Sequence, residues 1–282
     1  MQTLKLTIAY DGSDFHGWQL QPGLATIQGA LQDALRQITQ EPITIHGASR
    51  TDAGVHALGQ VAHFKTHSTL DAHEIQRGMN ALLPATIRIV AAQEVGQDFH
   101  ARWLAQGKTY RYRIYRGEVL PPFDHRRAFH YPWPLDEAAM SVAARAFEGQ
   151  HDFTSFAAST GSEEDDKDRD MQRTIHSSEI VRDHERDHER DHEREQGRDE
   201  IAYVVRGRSF LRYMVRKIVG TLIEVGKGRL APADIPEIFA ACDRSRSGPT
   251  VPPEGLYLVA LEYPDPADSL AMHAARRRER AT

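Results

Sequence analysis

Leu4, Leu6, Ile8 and Tyr10 alternate with Lys5, Thr7 and Ala9, and the apolar pattern then changes period to Ile27, Leu31, Ala34, Leu35 and Ile38. A period of two is a strand with one buried face, whereas the longer spacing marks one stripe of a helix. Each such element is apolar on one side only, so a chain that switches between the two must lay helices on a sheet. Thr26 is placed to cap the first helix. Strands are predicted over 43–46 and 60–65, Asp71 with Glu74 forms a capping box that opens the next helix, and 86–95 returns as a strand. The theme repeats with strands over 109–115, 201–206 and 256–263 and helices over 136–148 and 210–225. These patterns predict an α+β chain with helices on one sheet face and the other face free for a ligand. At 282 residues it is long for one core, and a boundary near residue 105 is expected, giving domains 1–104 and 105–282.

Composition narrows the classes. Cys242 is the single cysteine, which excludes an intramolecular disulfide and the thiolate set of a structural zinc site. The N-terminal residues show no signal-peptide core, and no apolar run is long enough to span a bilayer, so a cytoplasmic protein is expected. The formal net charge of −5 is unevenly placed: residues 163–200 hold 16 Asp/Glu against 8 Lys/Arg, which leaves the rest of the chain at +3. A mildly basic body suits a polyanionic partner. Within 182–194 the sequence Asp-His-Glu-Arg occurs three times in tandem with no apolar position, which cannot build a core. As a helix it would align His184, His188 and His192, but a solvated insertion is expected there and no metal site. The 276–280 tail, four arginines and a glutamate, is read as a loose end that touches phosphate.

The stretch Gly47-Ala48-Ser49-Arg50-Thr51-Asp52-Ala53-Gly54-Val55-His56-Ala57 sets one carboxylate among small residues beside one arginine. The glycines permit unusual backbone angles, and the small side chains leave a flat substrate room to reach Asp52. A turn between strands with a solvated Asp fits the same spacing.

This stretch resembles the catalytic loop of the TruA family of tRNA pseudouridine synthases, and the likeness continues in order. Tyr10-Asp11-Gly12 with Gly17-Trp18-Gln19 is similar to the family's opening strand and loop, and Lys108-Thr109-Tyr110-Arg111-Tyr112-Arg113 to its second active-site segment. Asp152 to Phe156, Phe210 to Gly220 and Gly255 to Ala260 follow. The charged segment from about 161 to 200 departs from the family, being longer and more charged than its usual connection. The resemblance implies the pseudouridine synthase fold: two ferredoxin-like α/β-sandwich halves sharing a central, mainly antiparallel sheet, with a cleft between them. It implies conversion of uridine to pseudouridine at positions 38, 39 and 40 of the tRNA anticodon arm, without cofactor, by a homodimer.

The reaction needs a nucleophile, and an ionised Asp52 supplies it, attacking either the ribose or the base. The resemblance assigns Arg216 as the cation that keeps Asp52 charged and aimed; a solvated arginine on an amphipathic helix is the plainer reading. On the strand over 109–115, Tyr110, Tyr112 and Ile114 share one face while Arg111, Arg113 and Tyr115 share the other. One face is thereby suited to stacking on a base and the other to meeting phosphate, although core tyrosines give the same pattern. The family segment points to Tyr110 as the residue packing on the target base. A base in a stem must leave its stack, and Arg50 is the candidate to fill the vacancy or clamp the phosphate. Met214, Val215 and Leu258 are candidate apolar walls and equally plain core. Two rivals stand beside this reading: an RNA-binding module without catalysis, and a glycoside or nucleoside hydrolase using Asp52, for which no second carboxylate motif is evident.

Overall fold

The computed structural model describes residues 1–158, 170–182 and 199–264. The tandem repeat with His184, His188 and His192, and the 276–280 tail, lie outside the described residues. The chain runs β1 (Gln2–Tyr10), α1 (Ile27–Thr39), β2 (His46–Gly47), β3 (His56–Thr66), α2 (Ala72–Leu82), β4 (Ile87–Val95), β5 (Gly107–Tyr115), β6 (Phe129–His130), α3 (Glu137–Arg145), β7 (Gly149–Asp152), β8 (Gln172–Arg182), β9 (Glu200–Gly207), α4 (Met214–Gly226), α5 (Ile235–Ala241) and β10 (Leu256–Glu262). It divides into two compact units, Met1–Lys108 with the stretch from Leu258, and Thr109–Tyr257. The α+β class expected from the alternating periods is the class observed.

In the first unit β1 lies between β4 and β3, antiparallel to both, with β10 beyond β3 and β2 paired to β3. Leu4 pairs with Phe64 and Leu6 with Ala62, so the period-two residues of β1 meet buried partners. Burial of each such side chain contributes about 1.5–3 kcal/mol. Helix α1 starts where expected, because the Thr26 hydroxyl accepts from the Gly29 N–H at 3.2 Å. Asp71 and Glu74 complete the capping box of α2 in both directions, at 2.8 Å each. The predicted strand over 43–46 is shorter than expected, pairing only as His46–Gly47.

The sheet face away from these helices is covered only in part: Ala91 and Gln93 of β4, opposite Thr7 and Lys5, are exposed, whereas the β3 side is packed. Val61 packs there with Ala48 and Ala101, covered further by Phe99, Leu261 and Tyr263. His63, on the same side of β3, has its ring 4.6 Å from that of His100 and 5.2 Å from that of His46, and His100 stacks on Trp103 at 3.7 Å. Among the described residues no group of three His, Cys, Asp or Glu is arranged to hold a metal.

This imidazole cluster makes stability depend on pH. Burial, then the neighbouring His100 and His46, pulls the His63 pKa down from 6.5 to about 4, and its Nδ1 accepts from the Ala101 N–H. The folded state therefore holds His63 neutral while the unfolded chain takes up a proton below about pH 6.5. Its contribution, about 3 kcal/mol, is fully present above that pH and is lost as pH falls toward 4. Denaturant unfolding followed from pH 7 to 4.5 should show stability falling with acidity, and His63→Gln should flatten that slope; a parallel slope in the variant would remove His63 as its source.

In the second unit β5, β9, β8 and β7 are neighbours in that order, and β6 runs parallel to β5. Strand β8 pairs antiparallel with β9 from Ile175 to Arg182 and lies inside the interval 161–200 that the sequence presents as a charged connection. Its apolar period is broken by an irregularity between Ile175 and Ser177, and an inward position is filled by Ser178, whose hydroxyl lies 2.8 Å from the Tyr203 hydroxyl. Helix α4 begins at Met214 and not at 210, because Tyr213 takes a left-handed conformation with φ 62°. Met214, Ile218 and Leu222 form its buried stripe.

The alternation of β5 is as read, with Tyr110, Tyr112 and Ile114 buried. The opposite face is not a phosphate surface. Arg113 grips the buried Glu200 carboxylate through Nε and Nη2 at 2.7 and 2.8 Å and reaches Asp124 at 2.9 Å, while Arg111 lies 3.7 Å from Glu200. Bidentate pairing with a desolvated carboxylate raises the Arg113 pKa and commits its charge internally.

Candidate active site

The loop between β2 and β3 is built by the close approach of two backbone segments of the first unit. A Cβ on Gly12 would lie 2.0 Å from the Val55 carbonyl oxygen, and one on Gly47 would enter the Trp18 ring at 2.5 Å. Gly17, with φ +87°, lies against the Thr51 carbonyl, and the Trp18 N–H donates to that oxygen at 3.1 Å. This is why Tyr10-Asp11-Gly12 and Gly17-Trp18 accompany the loop: they are its other wall. Asp52 opens a turn in which the Val55 N–H returns to the Asp52 carbonyl at 3.2 Å, with Gly54 supplying φ +77°.

Three side chains hold the loop from beneath. Gln60 is fully buried and treats Ser49 as a strand neighbour would: its Nε2 donates to the Ser49 carbonyl at 2.8 Å, and its Oε1 accepts from the Ser49 N–H at 3.3 Å. The Tyr10 and Thr51 hydroxyls lie 2.8 Å apart. Lys108 donates to the Ala48 carbonyl and to the Ser49 hydroxyl, both at 3.2 Å. Asp52 is half-buried on this fixed turn, and Arg50 is exposed two residues before it. A nucleophile needs this arrangement, because an anion held by its backbone loses little freedom on reacting.

The remaining candidates stand as follows. Tyr110, in the second unit, is 6% exposed with its ring edge-on to Phe210 at 5.0 Å. Arg216, on α4, donates through Nε to the Val251 carbonyl at 2.7 Å. Its guanidinium lies 4.9 Å from the Tyr213 ring centre and that of Arg212 lies 4.8 Å from it, so one ring carries both cations. Arg212 precedes the helix and does not share a helical stripe with Arg216. Met214 and Val215 of the second unit and Leu258 of the first are buried and contribute packing.

Sequence reasoning passed over Gln60, Tyr213 and the bonds of Lys108. A signal existed for Gln60: opposite Ile8 in the strand register, it is a polar residue at a core position. None existed for Tyr213, whose backbone angle no periodicity reports.

Fold and loop together define an α+β protein that presents a carboxylate on a preformed turn, an arrangement suited to nucleophilic catalysis. A sequence model of the tRNA pseudouridine synthase family matches residues 6–103 and 143–264, which include Asp52 and Arg216 and leave Tyr110 between the matched blocks. A protein of Solibacter usitatus named tRNA pseudouridine synthase A is 46% identical over 93% of this chain and its own full length. Namesakes from Brevibacillus brevis, 42% identical over 93% of the chain and all of the relative, and Limosilactobacillus fermentum, 41% identical over 95% and 99%, are similar in the same way. The chain belongs to the tRNA pseudouridine synthase family, a family of isomerases. No helix of the described residues is long and apolar enough to cross a membrane.

Proposed function

We propose that the chain converts uridine to pseudouridine at positions 38, 39 and 40 of the tRNA anticodon arm, in the cytoplasm, as a homodimer and without a cofactor. The observation that carries the reading is the Asp52 turn, fixed by backbone and side-chain bonds at Ala48, Ser49, Thr51 and Val55. The reaction breaks the bond between uracil N1 and ribose C1′ and forms one between C5 and C1′. The proton leaving C5 is balanced by one gained at N1. Asp52 supplies the electron pair that opens this sequence.

Arg50 is proposed to guard the position the target base leaves. Tyr110 is assigned to the base and Arg216 to the anion, and Met214, Val215 and Leu258 are proposed as apolar walls for the substrate. Family membership and the likeness of the 108–113 segment support these roles. Purified protein incubated with unmodified tRNA, followed by mapping of pseudouridine, tests the reading. Modification confined to 38–40 is expected; modification elsewhere would overturn the site assignment, and binding without any isomerisation would favour an RNA-binding module. Light scattering of the same preparation should give twice the chain mass of 31.8 kDa.

A further inference from the structure

Lys108 is the second residue of β5 and sits in the first unit, with its ammonium directed at the loop before Asp52. Its two hydrogen-bond acceptors, the Ala48 carbonyl and the Ser49 hydroxyl, are neutral. The charges that act on it most, those of Arg102 and Arg50, are themselves positive, and burial together with these cations lowers its pKa from 10.5 to about 8. Desolvating an amine among cations costs free energy, and a methionine of similar length would fill the space without that cost. What the amine adds over such a side chain is the pair of bonds to Ala48 and Ser49, the two residues immediately before Arg50-Thr51-Asp52.

We propose that Lys108 is a positioning residue for the isomerisation, holding residues 48–50 so that the Asp52 turn keeps the shape its nucleophile requires. The inference rests on the function proposed above. Gln60 fixes the Ser49 backbone and Tyr10 reaches Thr51, so the fold of the loop survives without Lys108 while its fine placement does not. A shift on the order of 1 Å in a reacting group costs about 100-fold in rate. A residue that only bound phosphate would instead change RNA affinity.

The test compares wild type, Lys108→Met and Lys108→Arg in single-turnover rate, tRNA dissociation constant, melting temperature and amide hydrogen exchange of residues 48–54. Lys108→Met should lower the rate by about 10- to 100-fold, leave affinity and melting almost unchanged, and speed exchange in the loop. Lys108→Arg, which keeps the charged donor, should recover most of the rate. An unchanged rate in Lys108→Met overturns the proposal, as does a loss matched by an equal loss of tRNA affinity or by loss of the fold. If wild type itself binds tRNA without isomerising it, the functional reading fails instead, and loop exchange alone decides whether Lys108 holds the turn.

Discussion

Asp52→Asn should reduce pseudouridine formation by on the order of 10^4-fold or more, because the substitution keeps the shape of the side chain and removes the anion proposed as nucleophile. The backbone of the turn is fixed by bonds that asparagine leaves in place. Its bonds run through the Asp52 carbonyl, the Thr51 carbonyl and the Ser49 backbone, so the variant should fold and melt like wild type. Affinity for tRNA should stay within about twofold, since RNA binding is spread over many phosphate contacts. Quantifying pseudouridine in tRNA after long incubation, alongside a binding titration, checks both halves. Undiminished product from Asp52→Asn would remove Asp52 as nucleophile.

The largest effect on stability is expected at Gly220, in the middle of α4. A Cβ there would lie 1.7 Å from the Pro249 carbonyl oxygen, and one on Gly248 would lie 2.5 Å from the Gly220 backbone, so two main chains touch at this point. Alanine gains about 1 kcal/mol of helix propensity. Backbone cannot give way as a flexible side chain does, so the clash outweighs that gain and Gly220→Ala should lose roughly 3 kcal/mol. The melting temperature should fall by about 10 °C. The same segment carries Val251, whose carbonyl accepts from Arg216 Nε, so turnover should fall as well. Gly96, where an added Cβ meets nothing within 4 Å, is the control, and Gly96→Ala should melt as wild type does. Equal melting of the two variants would contradict the argued contact.

Features settled within a few residues were legible in the sequence. Thr26 caps α1, Asp71 and Glu74 cap α2, and β1 and β5 alternate as their composition dictates, because each depends on neighbours along the chain. The Asp52 loop was legible for the same reason, its small residues and carboxylate being contiguous. What escaped depends on partners far away in sequence. Arg113 looked available for phosphate until Glu200, 87 residues on, was found against it. Strand β8 was hidden because its inward position holds Ser178, whose partner is Tyr203. The start of α4 was misplaced because one residue, Tyr213, turns left-handed. The meaning of Gly12 and Gly17 lay in the loop they touch, some 40 residues later.

That mutual fit of glycine backbones has a consequence for the rhythm of the enzyme's work. Ordering a flexible loop costs about 1–2 kcal/mol per residue, and an enzyme that does so at every encounter draws that cost from its affinity for substrate. Here the cost falls once, when the chain folds. Each tRNA therefore meets a loop already in its working shape, and the protein can hold its substrate weakly enough to let the product go.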